Sequence, residues 1–281
     1  MFGRQRRCRR GGNLLRPPAK ITPPRNIVIT GATSGLGRAL AVGYAAPGIR
    51  LGLIGRDAMR LEQVARDCGG KGAAVVIGRL DVREAEALAG WLVAFDDAGP
   101  VDLAVAAAGI SAGPPPETAT EPAGLAMRQI GTNLLGCMHT IEPLLPRLLA
   151  RGIGQVAVVS SVAGYRGLPY SPGYSASKAG VRAYGEALRA LLRPHGIRVS
   201  VVVPGFFDSP MTDRFHGDKP FLISLERASG IVRRGLDRGQ ARIVFPRLLG
   251  LGLQAADLLP AWLGDHILRG VRFHIVPPDL V

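Results

Sequence analysis

Short runs rich in Val and Ile recur at 26–30, 50–54, 73–78, 102–106, 155–160 and 197–203, each bounded by turn residues. Between them the apolar residues repeat at helical spacing, as in Leu36, Leu40 and Tyr44, then Leu61, Val64 and Ala65, then Leu88, Trp91, Leu92 and Phe95. Strand and helix therefore alternate. Strands that are apolar almost throughout must be covered on both faces, which requires a parallel sheet with helices above and below. The pattern predicts an α/β chain, a single-domain doubly wound Rossmann fold with a sheet of about seven strands. A helix over 221–238 and a last strand over 242–245 complete it.

Three segments are expected: a basic tail over 1–25, the Rossmann-type domain over 26–246, and a helical extension over 247–281. The tail holds Arg4, Arg6, Arg7, Arg9, Arg10, Arg16, Lys20 and Arg25, no acidic residue and four prolines. Such a composition favours a flexible segment. It has no apolar core of signal-peptide length, so the expected location is the cytoplasm. The extension is Leu-rich over 247–269, but Asp257 and Pro260 interrupt it, so it is not a membrane span. It reads as a helix packed on the domain or a partner subunit, with weak peripheral membrane contact as the other reading.

The formal charge of +14 raises the question of nucleic acid. Eight of those charges sit in the tail, leaving +6 for the body, and the tail lacks the interleaved aromatics that stack bases. Nucleic-acid binding is not expected. Cys8, Cys68 and Cys137 are far apart and have no metal-ligand spacing, so neither a metal site nor a disulfide framework is expected.

Directly after the first strand comes Thr30-Gly31-Ala32-Thr33-Ser34-Gly35-Leu36-Gly37, followed by a helix. Glycines let the backbone turn tightly and approach a pyrophosphate, and the positive end of the helix favours the anion. The second strand ends Ile54-Gly55-Arg56-Asp57, with glycine where a carboxylate for an NAD ribose would sit. Arg56 suits a 2′-phosphate instead, which points to NADP(H) rather than NAD(H). Asp57 can cap the next helix.

Tyr174 and Lys178 stand one helical turn apart, so the ammonium can approach the phenol and stabilise a phenolate. Ser161 ends a strand 13 residues earlier, beside Ser160. The glycine spacing, the Tyr-Ser-Ala-Ser-Lys segment and this serine together resemble the short-chain dehydrogenase/reductase family.

That resemblance implies an enzyme acting on a CH–OH group. Ser161 would hydrogen-bond the substrate oxygen, Tyr174 would transfer the proton, and Lys178 would also bind the nicotinamide ribose. Asn133 matches a helix asparagine that holds a proton-relay water. Asp81 and Val82 match the adenine-contacting pair, Ala108 and Gly109 let the backbone pass the cofactor, and Pro204 and Gly205 match the family's Pro-Gly segment. Ser209 stands where a threonine binds the nicotinamide carboxamide. One departure is Ala106-Ala107-Ala108-Gly109 in place of Asn-Asn-Ala-Gly, which removes two amides that brace the central strands.

The expected partner is a small-molecule carbonyl or alcohol, with Leu168, Phe206, Phe207 and Phe215 making the site apolar under a loop over 211–221. A homodimer or homotetramer is expected. A non-catalytic NADP-binding sensor or scaffold of the same fold is the alternative function.

Overall fold

A computed structural model describes residues 23–115, 118, 120–268 and 273–276. The expected tail therefore lies mostly outside the described residues, as does Cys8. Seven strands form one parallel sheet: β1 (Asn26–Thr30), β2 (Arg50–Gly55), β3 (Ala74–Arg79), β4 (Leu103–Ala106), β5 (Gly154–Val159), β6 (Ile197–Pro204) and β8 (Arg242–Phe245). Their order is β3-β2-β1-β4-β5-β6-β8. From β1 the chain winds outward to β2 and β3, then returns to the other side of β1 for β4. The order reverses between β1 and β4, and a crevice opens there at the carboxyl ends of the strands.

Successive residues of each strand point to opposite faces, and both faces are apolar. On one face Val28, Ala104, Val156, Val158 and Val201 pack against Leu88, Leu92 and Phe95 of α3 (Ala85–Asp97) and Val181 and Leu188 of α7 (Pro172–Leu192). On the other, Ile27, Ile29, Leu51, Leu53 and Val105 pack against Leu36 and Leu40 of α1 (Gly35–Tyr44), Leu61 and Val64 of α2 (Ala58–Gly69), and Val232 and Leu236 of α9 (Leu225–Asp237). Side-chain caps define several helix starts. Asp57 accepts from the Arg60 N–H at 3.0 Å, and Ser224 from the Arg227 N–H at 3.2 Å, which starts α9 later than the spacing predicts.

A helical run covers α4 (Leu125–Ile130), a π-helical turn at Gly131–Leu135 and α5 (Gly136–Ile141); α6 (Leu145–Arg151) follows a short 3₁₀ turn. The extension begins with two helices, α10 (Arg247–Asp257) and α11 (Ala261–Leu268), parted at Pro260, whose ring does not continue a helix, and a short strand follows them, so it is not helical throughout as expected. Leu249 and Leu253 face the core, while Leu248, Leu251 and Trp262 are exposed. Among the described residues no helix is long and apolar enough to cross a membrane.

A feature that the sequence periodicity did not predict is a second, two-stranded sheet. β7 (Phe215–Gly217), just after the short helix α8 (Pro210–Asp213), pairs antiparallel with β9 (Phe273–Ile275). Each strand has three residues, too few to show a period.

Candidate active site

A cavity of about 300 Å³ opens at the carboxyl ends of the strands, and the glycine turn forms one side of it. Gly31 and Gly35 have φ of +69° and +49°, conformations that side chains rarely adopt. A Cβ on Gly37 would stand 2.3 Å from the Gly31 carbonyl oxygen, so the turn closes only without one. No side chain caps the first turn of α1, whose N-cap is Ser34. Its first N–H groups are thus available to an anion at the cavity wall. Thr33, Leu36, Ala108, Gly109, Pro204 and Gly205 also line this cavity. The cradle fits a dinucleotide pyrophosphate.

The cavity is also lined by Ser161, Tyr174 and Lys178. Ser161 ends β5 and accepts from the Ala163 N–H at 3.2 Å, capping a 3₁₀ turn. Its hydroxyl is also directed at the Tyr174 phenol. Burial pushes the phenol above its usual pKa, and the neighbouring Ser161 hydroxyl opposes this only in part. Lys178 is 4% exposed, and its ammonium donates to the Val159 carbonyl at 2.9 Å. It lies 5.7 Å from the centre of the Tyr174 ring. Burial pushes Lys178 down to about 8. Desolvation is the largest influence on the Tyr174 phenol, and it acts against the phenolate that a neighbouring cation favours.

Ser160 and Ser177, which the spacing did not single out, hold this group in place. The Ser160 hydroxyl donates to the Lys178 backbone carbonyl at 2.7 Å, tying α7 to the end of β5. Ser177 donates to the Tyr174 carbonyl at 2.7 Å and accepts from the Asn133 amide at 2.9 Å.

Asn133 sits in the π-helical turn, a distortion frequent at functional sites. Its oxygen accepts from the Ile110 N–H at 2.8 Å and its amide donates to the Ile110 carbonyl at 3.0 Å. A Cβ on Gly109 would stand 3.2 Å from that oxygen and 3.3 Å from the Lys178 ammonium nitrogen, so the two groups converge there. This two-point clamp braces the segment after β4 where the family amides are missing. Thr30 adds to it, accepting from the Ala107 N–H at 3.3 Å.

At the far rim, Arg56 approaches Asp81 at 3.6 Å and Arg83 binds the same carboxylate at 2.7 Å. Burial alone would raise the Asp81 pKa, but the Arg83 hydrogen bonds and the charges of both arginines hold it below the usual range. A Cβ on Gly55 would stand 2.5 Å from the Thr33 methyl, so an acidic residue does not fit there without displacing Thr33. Val82 lies in the wall beside Asp81.

Ser209 caps α8, accepting from the Thr212 N–H at 3.2 Å and lying 3.0 Å from the Thr212 hydroxyl. It lines the cavity near Pro204 and Gly205. Leu168, Phe206, Phe207 and Phe215 line the remaining end, as the sequence anticipates. Phe273 and Ile275 of β9 join them there.

The family model for short chain dehydrogenases matches residues 25–219. An uncharacterized oxidoreductase of Myxococcus xanthus is 36% identical over 88% of this chain and 98% of its own. The dehydrogenase/reductase SDR family member 7B of Bos taurus is 34% identical over 66% of this chain and 59% of its own. Among solved structures, a short-chain dehydrogenase from Sphingobium yanoikuyae in complex with NADPH superposes with a TM-score of 0.72 at 23% identity, covering 88% of this chain and 96% of that one. Actinorhodin polyketide ketoreductase with NADPH gives 0.70 at 25% identity, covering 80% and 97%. With the family pattern matched over most of its length and a seven-stranded doubly wound sheet beneath it, the chain is a member of the short-chain dehydrogenase family and an oxidoreductase.

Proposed function

We propose that the protein is an NADP(H)-dependent oxidoreductase interconverting a carbonyl and a secondary alcohol, with Tyr174 as general acid and base. The observation that carries this reading is the meeting of Ser161, Tyr174 and Lys178 in the same cavity as the glycine cradle. The cradle at Gly31 to Gly37 would hold the pyrophosphate, Arg56 the 2′-phosphate, Asp81 and Val82 the adenine, and Lys178 the nicotinamide ribose. When bound, NADPH supplies a hydride to the carbonyl carbon.

Tyr174 gives its phenolic proton to the carbonyl oxygen, so that an alcohol forms, while the Ser161 hydroxyl donates to that oxygen and fixes it in place. The Lys178 ammonium steadies the phenolate left behind. Asn133 holds the Gly109–Ile110 segment against Lys178 and serves the return of a proton from solvent. A phenol whose pKa is raised keeps its proton at neutral pH, which suits reduction; alcohol oxidation needs the phenolate. Oxidation by NADP+ is therefore expected to accelerate from pH 7 to pH 10, while reduction stays nearly constant, when both directions are followed at 340 nm.

NADPH consumption across sugars, acyl thioesters, steroids, retinoids and quinones tests the activity. A protein that consumes NADPH with none of them, yet binds it, would support the non-catalytic alternative. Arg56→Ala is expected to weaken NADPH binding roughly 10-fold and leave NADH binding nearly unchanged, as loss of a charge-assisted bond to phosphate would. Equal effects on both cofactors would remove the assignment of Arg56.

A further inference from the structure

The cavity is chemically divided. Among the described residues that line it, the charged ones are Arg56 and Asp81 at the ends of β2 and β3, and Lys178 beneath Tyr174. Leu168, Phe206, Phe215, Phe273 and Ile275 line it as one apolar cluster, while the hydroxyl residues Ser111, Ser171, Ser209 and Thr212 line it elsewhere.

The aromatic rings of that wall are continuous. Phe206 meets Phe215 edge-on at 4.8 Å, Phe215 stacks on Phe273 at 4.7 Å, and Phe273 meets Tyr170 edge-on at 5.4 Å. Two segments far apart in the chain build it, because Phe215 pairs with Ile275 and Gly217 with Phe273 across the β7–β9 ribbon. The ribbon alternates in character. Phe215, Phe273 and Ile275 face inward, whereas His216 and His274 stack on each other at 4.5 Å on the other face. The main-chain bond from the Val276 N–H to the Arg214 carbonyl, 3.0 Å, extends the pairing by one more residue.

We propose that β9 is a specificity element: Phe273 and Ile275 complete a wall that selects uncharged carbonyl compounds whose flank is a bulky apolar or aryl group. This rests on the oxidoreductase reading above. A hydroxylated or anionic flank would lose its water against rings that offer no partner, while an aryl flank gains both burial and ring contacts. The carbonyl itself keeps its partners at Ser161 and Tyr174, so the selection acts on what is attached to it.

The test is calorimetric titration, with NADP+ present, of butyrophenone, dihydroxyacetone and benzoylformate into the wild type, Phe273→Leu and Ile275→Asp. Butyrophenone is expected to bind, and the hydroxylated and anionic ketones at least about 10-fold more weakly, the order of discrimination a pocket of this kind supports. Ile275→Asp should weaken butyrophenone about 10-fold or more and leave NADPH affinity within a factor of about two. Phe273→Leu keeps apolar volume but removes the ring, and should show a smaller loss in the same direction even if the aspartate variant does not fold. Equal binding of benzoylformate, or unchanged butyrophenone affinity in the folded variants, would overturn the proposal. A wild type that shows the ketone preference but neither binds NADPH nor reduces butyrophenone defeats the oxidoreductase reading and leaves the wall. One that binds NADPH and reduces dihydroxyacetone as readily as butyrophenone defeats the wall alone.

Discussion

Tyr174→Phe is expected to reduce turnover about 10³-fold, or about 4 kcal/mol of barrier, while NADPH binding stays within a factor of about two. The substitution removes one oxygen. The ring remains on α7 against the same neighbours, so the cavity keeps its shape. What disappears is the hydroxyl beside Ser161, the proton donor of the proposed mechanism. Hydride arriving at a carbonyl with no positioned proton donor must leave an alkoxide. Steady-state turnover, together with NADPH fluorescence on binding, separates the two effects. Turnover within 10-fold of the wild type would show that another group supplies the proton, and the mechanism would have to be abandoned.

The second expectation runs in opposite directions for activity and stability. Lys178→Met should lower turnover by roughly 10²-fold or more, because the cation that steadies the phenolate is gone. The same change should raise the melting temperature of the cofactor-free protein. The ammonium is buried and its pKa is pushed down from 10.5 to about 8 by loss of hydration, so holding it charged costs about 3 kcal/mol at pH 7. Losing the bond to the Val159 carbonyl offsets about 1 kcal/mol of that gain, leaving a rise of about 2–6 °C.

The sign follows from the depressed lysine pKa. Between about 8 and 10.5 the unfolded chain binds more protons than the folded one, so wild-type stability rises with pH across that window. The advantage of the methionine variant should therefore shrink from pH 7 to pH 10. Thermal melts at both values check it. A variant less stable than the wild type at pH 7 would mean that Lys178 contributes more through its contacts than burial of its charge costs. A site that carries such a cost for its chemistry is a common trade in enzymes.

Much of the site was legible from spacing because its parts are local. Tyr174 and Lys178 share a helix face by the geometry of one turn, and the glycines of the first turn announce the backbone conformation that Gly31 and Gly35 adopt. Arg56 and Gly55 were readable for the same reason, being fixed at the end of a strand. The direction of the Tyr174 pKa was not. Spacing places a cation near a phenol, but the depth at which both are buried depends on how α7 packs on β5 and on the segment after β4. The pairing of Asn133 with Ile110 was equally hidden, since it joins a helical turn to a loop 23 residues away. It supplies the brace that the run of alanines at 106–108 had left in doubt.

Residue periods by themselves determined the layered α/β architecture, the glycine cradle and the one-turn spacing of Tyr174 and Lys178, since each is encoded in contacts between neighbours along the chain. Tertiary structure alone decided that the order reverses between β1 and β4, that Lys178 is desolvated, and that Phe273 and Ile275 stand opposite Phe215 in the wall of the cavity. Those features arise where distant segments pack against one another. Desolvation and enclosure are properties of that packing, and a local pattern of three residues such as Phe273-His274-Ile275 carries no mark of the surface it will meet.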